Sequence, residues 1–103
     1  MKFKQNTVEI LLSSILSLGG VQKSIDTEDI AMKAYKISPN NFRWKKYEDQ
    51  IDIRKVQTNL YLAQKKKYLD GNEKRGWILT KNGISVIDKA KNKANFKIRT
   101  QKI

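Results

Sequence analysis

Apolar residues recur at helical spacing along the first part of the chain. The segment that begins near Asn6 or Thr7 places five apolar residues on one face of a helix: Val8, Leu11, Leu12, Ile15 and Leu18. Gly19-Gly20 predicts the end of this helix, because glycine readily adopts the backbone conformation that closes many helices. Asp26 or Thr27 is predicted to cap a second helix. Its buried stripe comprises Ile30, Ala31 and Ala34, with Tyr35 and Ile37 closing it.

A third helix is predicted from about Asp52 to Lys67. Its buried side is expected to hold apolar residues at spacings of three and four, namely Ile53, Val56, Leu60 and Ala63. At about 100° per residue, the opposite side carries Arg54, Thr58, Tyr61, Leu62 and Lys65, with Lys55, Gln57 and Asn59 beside them. Lys65-Lys66-Lys67 suits the negative end of the helix dipole, so these lysines have a capping interpretation as well as a phosphate-binding one.

A β-hairpin is predicted between this helix and the last one. Leu69 and Ile78 are expected to pair, with Asp70-Gly71 and Arg75-Gly76 at the bends, where positive φ favours glycine. Trp77 is predicted to pack on the body of the domain. The closing helix is expected to start at the cap Thr80 and to turn Ile84, Ile87 and Ala90 inward. Before the second helix, Ser24-Ile25 is predicted to be an extended link, which could form a single β-bridge with another segment.

The link between the second and third helices contains three aromatic residues that alternate with cations. Pro39 is predicted to break the second helix, and Phe42-Arg43-Trp44-Lys45-Lys46-Tyr47 follows. The favoured interpretation is an aromatic cluster that packs against the third helix and stiffens its start. The alternative is that the rings stack on the bases of a single strand.

The excess of positive charge indicates which class of partner the chain would bind. The chain has 103 residues, enough for one domain, and its 22 Lys and Arg against 10 Asp and Glu give a net charge of +12. Such a surplus favours a polyanionic partner, with nucleic acid first and an anionic membrane surface as the rival. No signal peptide is recognised and no apolar stretch reaches the length of a membrane span, so an intracellular, cytoplasmic protein is expected.

The residue inventory argues against catalysis. The chain contains neither cysteine nor histidine, which excludes thiolate nucleophiles, cysteine-based zinc sites and the commonest general base. We therefore expect no enzymatic activity, no cofactor and no metal site.

Three segments together resemble a winged helix-turn-helix DNA-binding domain of bacterial or phage type: residues 25–31, the helix 52–67 and Gly76-Trp77-Ile78-Leu79-Thr80-Lys81-Asn82-Gly83. The resemblance covers roughly residues 7–93. It implies a mainly α fold with a small β-hairpin: a three-helix core, a two-stranded wing and a closing helix within residues 1–93. Residues 94–103 would be a basic tail, either flexible or the start of a truncated segment. One departure is the long link from Tyr35 to Gln50, which leaves the angle between the second and third helices open.

By this resemblance, the helix 52–67 would enter the major groove of double-stranded DNA, and the wing 71–76 would lie on the backbone or in the minor groove. The expected base-reading residues are Arg54, Gln57, Thr58 and Tyr61. The expected phosphate contacts are Lys55, Lys65, Lys66, Lys74 and Arg75. Transcriptional regulation is the first expected role, or DNA recognition within a defence or phage protein.

Two other functions stay open at this stage. The chain could be a winged-helix module or inhibitor that acts on a protein partner, or a nucleic-acid binder without sequence preference. A homodimer through Ile10 and Leu16 of the first helix is also open, although a broad core face explains these residues equally well.

Overall fold

The computed structural model describes the backbone of residues 6–102 and the side chains of residues 6–91. This part of the chain contains five helices and one two-stranded antiparallel sheet. In chain order they are α1 (Thr7–Ser17), α2 (Thr27–Ile37), α3 (Pro39–Phe42), α4 (Ile53–Lys65), β1 (Leu69–Asn72), β2 (Gly76–Leu79) and α5 (Lys81–Lys102). The prediction of a mainly helical fold with a small hairpin is confirmed. The predicted boundary at residue 93 falls within α5, and the side chains of the predicted tail 94–103 lie outside the described residues.

The first and fourth helices end in the same backbone motif. After α1, Gly20 N donates to Ile15 O at 2.8 Å and Gly19 N donates to Leu16 O at 3.1 Å, with Gly19 at φ 88°. This is the Schellman arrangement, and it confirms the predicted glycine stop. After α4, Lys67 adopts φ 67° and the same pair of hydrogen bonds forms through Lys67 N and Tyr68 N. Helix α4 therefore ends at Lys65, two residues earlier than predicted.

One apolar core joins the elements. Its members include Leu11, Leu12 and Ile15 from α1, Ile30, Ala31 and Ala34 from α2, Val56, Leu60 and Ala63 from α4, and Ile87 from α5. Nearly all of the predicted stripes are therefore correct. Ile37 and Ile53 are the exceptions, since they are 47% and 38% exposed. Ile37 is the last residue of α2 and Ile53 is the first residue of α4, so both lie at helix ends rather than along the covered middle of a helix. Ile10 is buried and Leu16 packs against the core, as expected for a broad core face.

The hairpin register differs from the prediction by one residue. Leu69 pairs with Leu79, and Asp70 pairs with Ile78. The three-residue loop Glu73-Lys74-Arg75 sets this register, because loop length fixes which residues face each other. The observed register buries both Leu69 and Leu79. The positive φ expected at the bends is confirmed at Gly71 (113°) and Gly76 (86°).

Contacts with the segment around the start of α2 attach this hairpin to the rest of the fold. Ile25 and Trp77 exchange backbone hydrogen bonds of 2.9 Å each, which confirms the single β-bridge suggested for Ser24-Ile25. Trp77 is fully buried, as predicted, and its Nε1 donates to Thr27 Oγ1 at 2.9 Å. The hairpin is therefore fixed by residues just before and at the start of α2.

Candidate nucleic-acid interface

The outward side of α4 forms a strip of polar and basic side chains. Arg54, Thr58, Tyr61, Leu62 and Lys65 are all exposed, and they fall within about 100° around the helix axis. There is no Asp or Glu from Ile53 through Leu69. Among the described side chains, the ion pair within 4 Å is Arg43–Glu48, so neither Arg54 nor Lys65 pairs with a carboxylate of residues 6–91. The strip is therefore basic and not internally neutralised.

The first turns of α4 open onto a shallow groove. It has a volume of about 310 Å³ and is lined by Asp52, Arg54, Lys55, Thr58 and Asn59. The Asp52 carboxylate caps the helix by accepting from Lys55 N at 3.1 Å, and Asn59 Nδ2 donates to Lys55 O at 2.8 Å. Arg54, Lys55 and Thr58, which were predicted from the sequence as DNA contacts, therefore line one concave surface.

Lys55 has an intramolecular partner. Its Nζ lies 5.9 Å from the centroid of the Phe42 ring, and its side chain is half-buried. A cation over an aromatic face at this distance gains a modest attraction, so Lys55 is less available to a phosphate than the exposed cations are. Gln57 is half-buried as well. These two residues are therefore the least accessible of the predicted contacts on α4.

Tyr61 joins the strip to the hairpin. Its ring meets the Trp77 ring edge to face, with centroids 5.1 Å apart and an interplanar angle of 84°. The tyrosine nevertheless remains 42% exposed. Aromatic pairs in this geometry add stability beyond the area they bury. The contact holds the tyrosine ring in place where α4 meets β2.

Gln64 supplies a second connection, which sequence reasoning missed. Its Nε2 donates to the Gly71 carbonyl of β1. Gln64 lies about 60° from Tyr61 around α4, on the side toward the hairpin. Nothing in the periodicity distinguishes it from other polar residues of the helix, because its role depends on the later placement of the hairpin.

The hairpin tip presents its cations to solvent. Asn72 Oδ1 accepts from Lys74 N and from Arg75 N at 2.9 Å each, which orders the loop backbone. The side chains of Lys74 and Arg75 are exposed. Both predicted wing contacts therefore project from a loop that is held by its own hydrogen bonds and takes no part in the core.

Lys66 lies apart from the outward strip. It lines a second cleft, of about 450 Å³, together with Asn6, Glu9 and Tyr68 among others. Lys65 belongs to the outward strip, whereas Lys66 follows the last residue of α4 and faces the beginning of α1. The predicted contacts thus divide into three locations: the α4 strip, the hairpin tip and this separate cleft.

The link before α4 differs from the favoured interpretation of its aromatic residues. Phe42 is fully buried, as that interpretation expects. Trp44 and Tyr47, however, are 48% and 52% exposed. The expectation is wrong for these two rings because the chain from Arg43 to Ile51 turns back on itself and pairs its own ends. Pro39 also does more than break α2, since it forms the first residue of α3.

Comparison with known proteins gives no match to a family model, a curated protein or a solved structure. Within the described residues, no helix combines the length and apolar character needed to cross a membrane.

Proposed function

We propose that this chain is a winged-helix domain that binds double-stranded DNA, with α4 in the major groove and the β1–β2 hairpin on the adjacent backbone or minor groove. The observation that carries the proposal is the acid-free strip on α4, where Arg54 and Lys65 are exposed without a carboxylate partner among the described side chains. A basic hairpin tip stands beside it. An α-helix fits the major groove of B-DNA in width, and exposed cations offset the phosphate charge.

The order of elements supports the winged-helix assignment. Three helices precede α4, the third of them only four residues long, a hairpin follows it, and a closing helix packs against α1 and β2. The bridge between Ile25 and Trp77 adds an extended segment beside β2. Because Trp77 and Gln64 hold the hairpin close to α4, both basic elements can approach a duplex together.

Each exposed residue suits a distinct part of the duplex. Arg54, near the start of α4, can form a bidentate contact with guanine, and Thr58 one turn later can reach a neighbouring base edge. Lys65, Lys74 and Arg75 suit phosphates, and Arg75 could also enter a narrow minor groove. A domain that reads base edges would serve regulation of transcription or DNA recognition in a defence or phage protein.

Salt dependence tests the electrostatic part of the proposal. If about five phosphates are neutralised, the affinity for duplex DNA should fall by roughly two to three decades between 50 and 200 mM salt. The measurement is fluorescence anisotropy of a labelled duplex titrated with protein. A flat dependence, or an absence of binding at 50 mM salt, would contradict the proposal.

Arg54→Ala tests whether α4 reads sequence. On a duplex selected from a random pool, the variant should lose about 1–3 kcal/mol of binding free energy, and less on unselected DNA. Lys36→Ala is the matched control, since Lys36 is an exposed cation in the last turn of α2. Equal losses on both DNAs would make Arg54 a phosphate contact and favour a binder without sequence preference.

One observation favours a protein partner as the second candidate. Leu62 is 41% exposed on the same strip of α4, beside the half-exposed Tyr61. Exposed apolar residues on a helix face are common at protein interfaces. Leu62→Ala distinguishes the two candidates: it should leave the salt-dependent affinity for duplex DNA nearly unchanged if α4 binds mainly through its cations.

A further inference from the structure

The segment from Arg43 to Ile51, here called the 43–51 loop, is closed by its own contacts. Arg43 and Ile51 form an isolated antiparallel bridge, and Trp44 N donates to Gln50 O at 3.0 Å. Arg43 pairs with the Glu48 carboxylate at 2.9 Å. The Tyr35 hydroxyl of α2 donates to Glu48 O at 3.1 Å. The loop therefore keeps its shape without burying its aromatic rings, those of Trp44 and Tyr47.

Those rings form an exposed pair between cations. The Trp44 and Tyr47 rings meet edge to face, with centroids 6.1 Å apart at 65°. Lys45 and Lys46 lie between them in the chain and are exposed, and Lys46 Nζ lies 5.9 Å from the Tyr47 centroid. About half of the surface of each residue remains in water, although burial of an aromatic ring is strongly favourable. The structure thus leaves an aromatic and cationic surface that the fold does not use.

The chemistry of this surface fits an unpaired nucleotide. A base offers a flat π face to an aromatic ring, and the phosphate beside it offers charge to a lysine. Bases inside an intact duplex are stacked on each other and present only their edges, so away from its ends a duplex offers these rings no base face, whereas an unpaired base does.

The loop also leads directly into the proposed DNA-binding helix. Asp52, which caps α4, donates from its backbone N to Phe42 O at 2.7 Å across the base of the loop. Beneath the loop, Phe42 is buried and its ring faces Lys55 of α4. These contacts attach the loop to the start of α4, next to the residues proposed to enter the major groove.

We propose that the 43–51 loop stacks an unpaired base of DNA on Trp44, with Tyr47 supporting the tryptophan ring and with Lys45 and Lys46 contacting the phosphates of that strand. This inference rests on the proposed binding of duplex DNA by α4. The consequence is a preference for duplex DNA that carries a single-stranded extension, held on α4 and on the loop at the same time.

The test compares three fluorescein-labelled DNAs at one salt concentration. They are a blunt duplex, the same duplex with a single-stranded dT extension at each end, and the dT strand alone. The extended duplex should bind at least about ten times more tightly than the blunt one, since stacking of one base is worth roughly that much. Trp44→Ala should remove this difference while leaving affinity for the blunt duplex unchanged, and Trp44→Phe should restore most of it. Thermal unfolding of each variant checks that the fold is retained.

Tryptophan emission provides a second readout. Trp44 is half-exposed whereas Trp77 is fully buried. Stacking of a base should therefore quench the emission of Trp44. In the Trp44→Phe variant the remaining emission comes from Trp77, and it should not change. Equal affinity of the wild-type protein for blunt and extended duplexes would overturn the inference. An equal loss of affinity for the blunt and the extended duplex in Trp44→Ala would also overturn it. So would binding of a protein partner by the loop when DNA does not quench Trp44.

The two proposals can fail separately. If the blunt duplex is not bound at low salt, the duplex-binding function fails. In that case, quenching of Trp44 by the dT strand would still support base stacking by the loop, and no quenching would overturn it as well.

Discussion

Two hairpin-like segments stand next to α4, and each contains one tryptophan. In the β1–β2 hairpin, Trp77 is buried and hydrogen-bonded to Thr27, while the tip carries only polar and charged side chains. In the 43–51 loop, Trp44 is half-exposed beside the base, which is closed by the backbone pairing of Arg43 with Ile51. The first segment uses its aromatic residue for the fold. The second obtains its shape from hydrogen bonds and leaves its aromatic residues half-exposed.

Substituting the two tryptophans should give the largest contrast. Trp77→Ala should lower the free energy of unfolding by about 3–5 kcal/mol, through a cavity beneath the hairpin, if the protein folds at all. Trp44→Ala should change it by about 0.5 kcal/mol or less, as for other exposed positions. Urea unfolding followed by circular dichroism measures both. Similar losses in the two variants would show that the 43–51 loop also belongs to the core.

Removing the hydrogen-bond acceptor of Trp77 should have an intermediate effect. Thr27→Val keeps the shape of the side chain but leaves the buried indole N–H without its acceptor, at a cost of about 1–3 kcal/mol. Thr58→Val on the exposed strip of α4 is the control and should cost little. If both variants unfold at the same urea concentration, the Thr27–Trp77 contact does not hold the hairpin.

Removing the ion pair of the 43–51 loop should have the smallest effect on stability. Arg43 and Glu48 are exposed enough for water to weaken their attraction, so Glu48→Ala should cost about 0–1 kcal/mol. The backbone pairing of Arg43 with Ile51 should keep the loop closed. A loss as large as that of Thr27→Val would mean that side chains, and not the backbone, hold the loop.

How well each feature of the fold could be predicted depends on how far apart in the chain the residues that form it are. The features that were correctly predicted are local: the Gly19-Gly20 stop, the Thr80 cap (which accepts from Gly83 N at 3.1 Å) and, apart from Ile37 and Ile53, the core stripes of α2 and α4. Each depends on residues within one or two helical turns. The packing of Trp77 on the body of the domain was predicted, but its partner Thr27 was not.

The features that were missed depend on contacts between distant segments. Gln64 reaches Gly71 only once the hairpin has its final register, and that register was wrong by one residue. The exposure of Trp44 and Tyr47 follows from pairing between Arg43 and Ile51 and from the bond between Tyr35 and Glu48. Hydrophobic periodicity contains no information about such pairs, because the residues that form them are polar or lie in irregular backbone.

The bond between Thr27 and Trp77 also limits how the molecule can be divided. It joins residues 50 positions apart, and the Ile25–Trp77 bridge lies beside it. A peptide of residues 53–91 would contain every side chain assigned here to the major groove and the hairpin tip. It would nevertheless lack the segment that covers Trp77, together with the α1 and α2 residues of the core. Transplanting the DNA-facing surface onto another scaffold would therefore require residues 25–27 as well, although we assign none of them a contact with DNA.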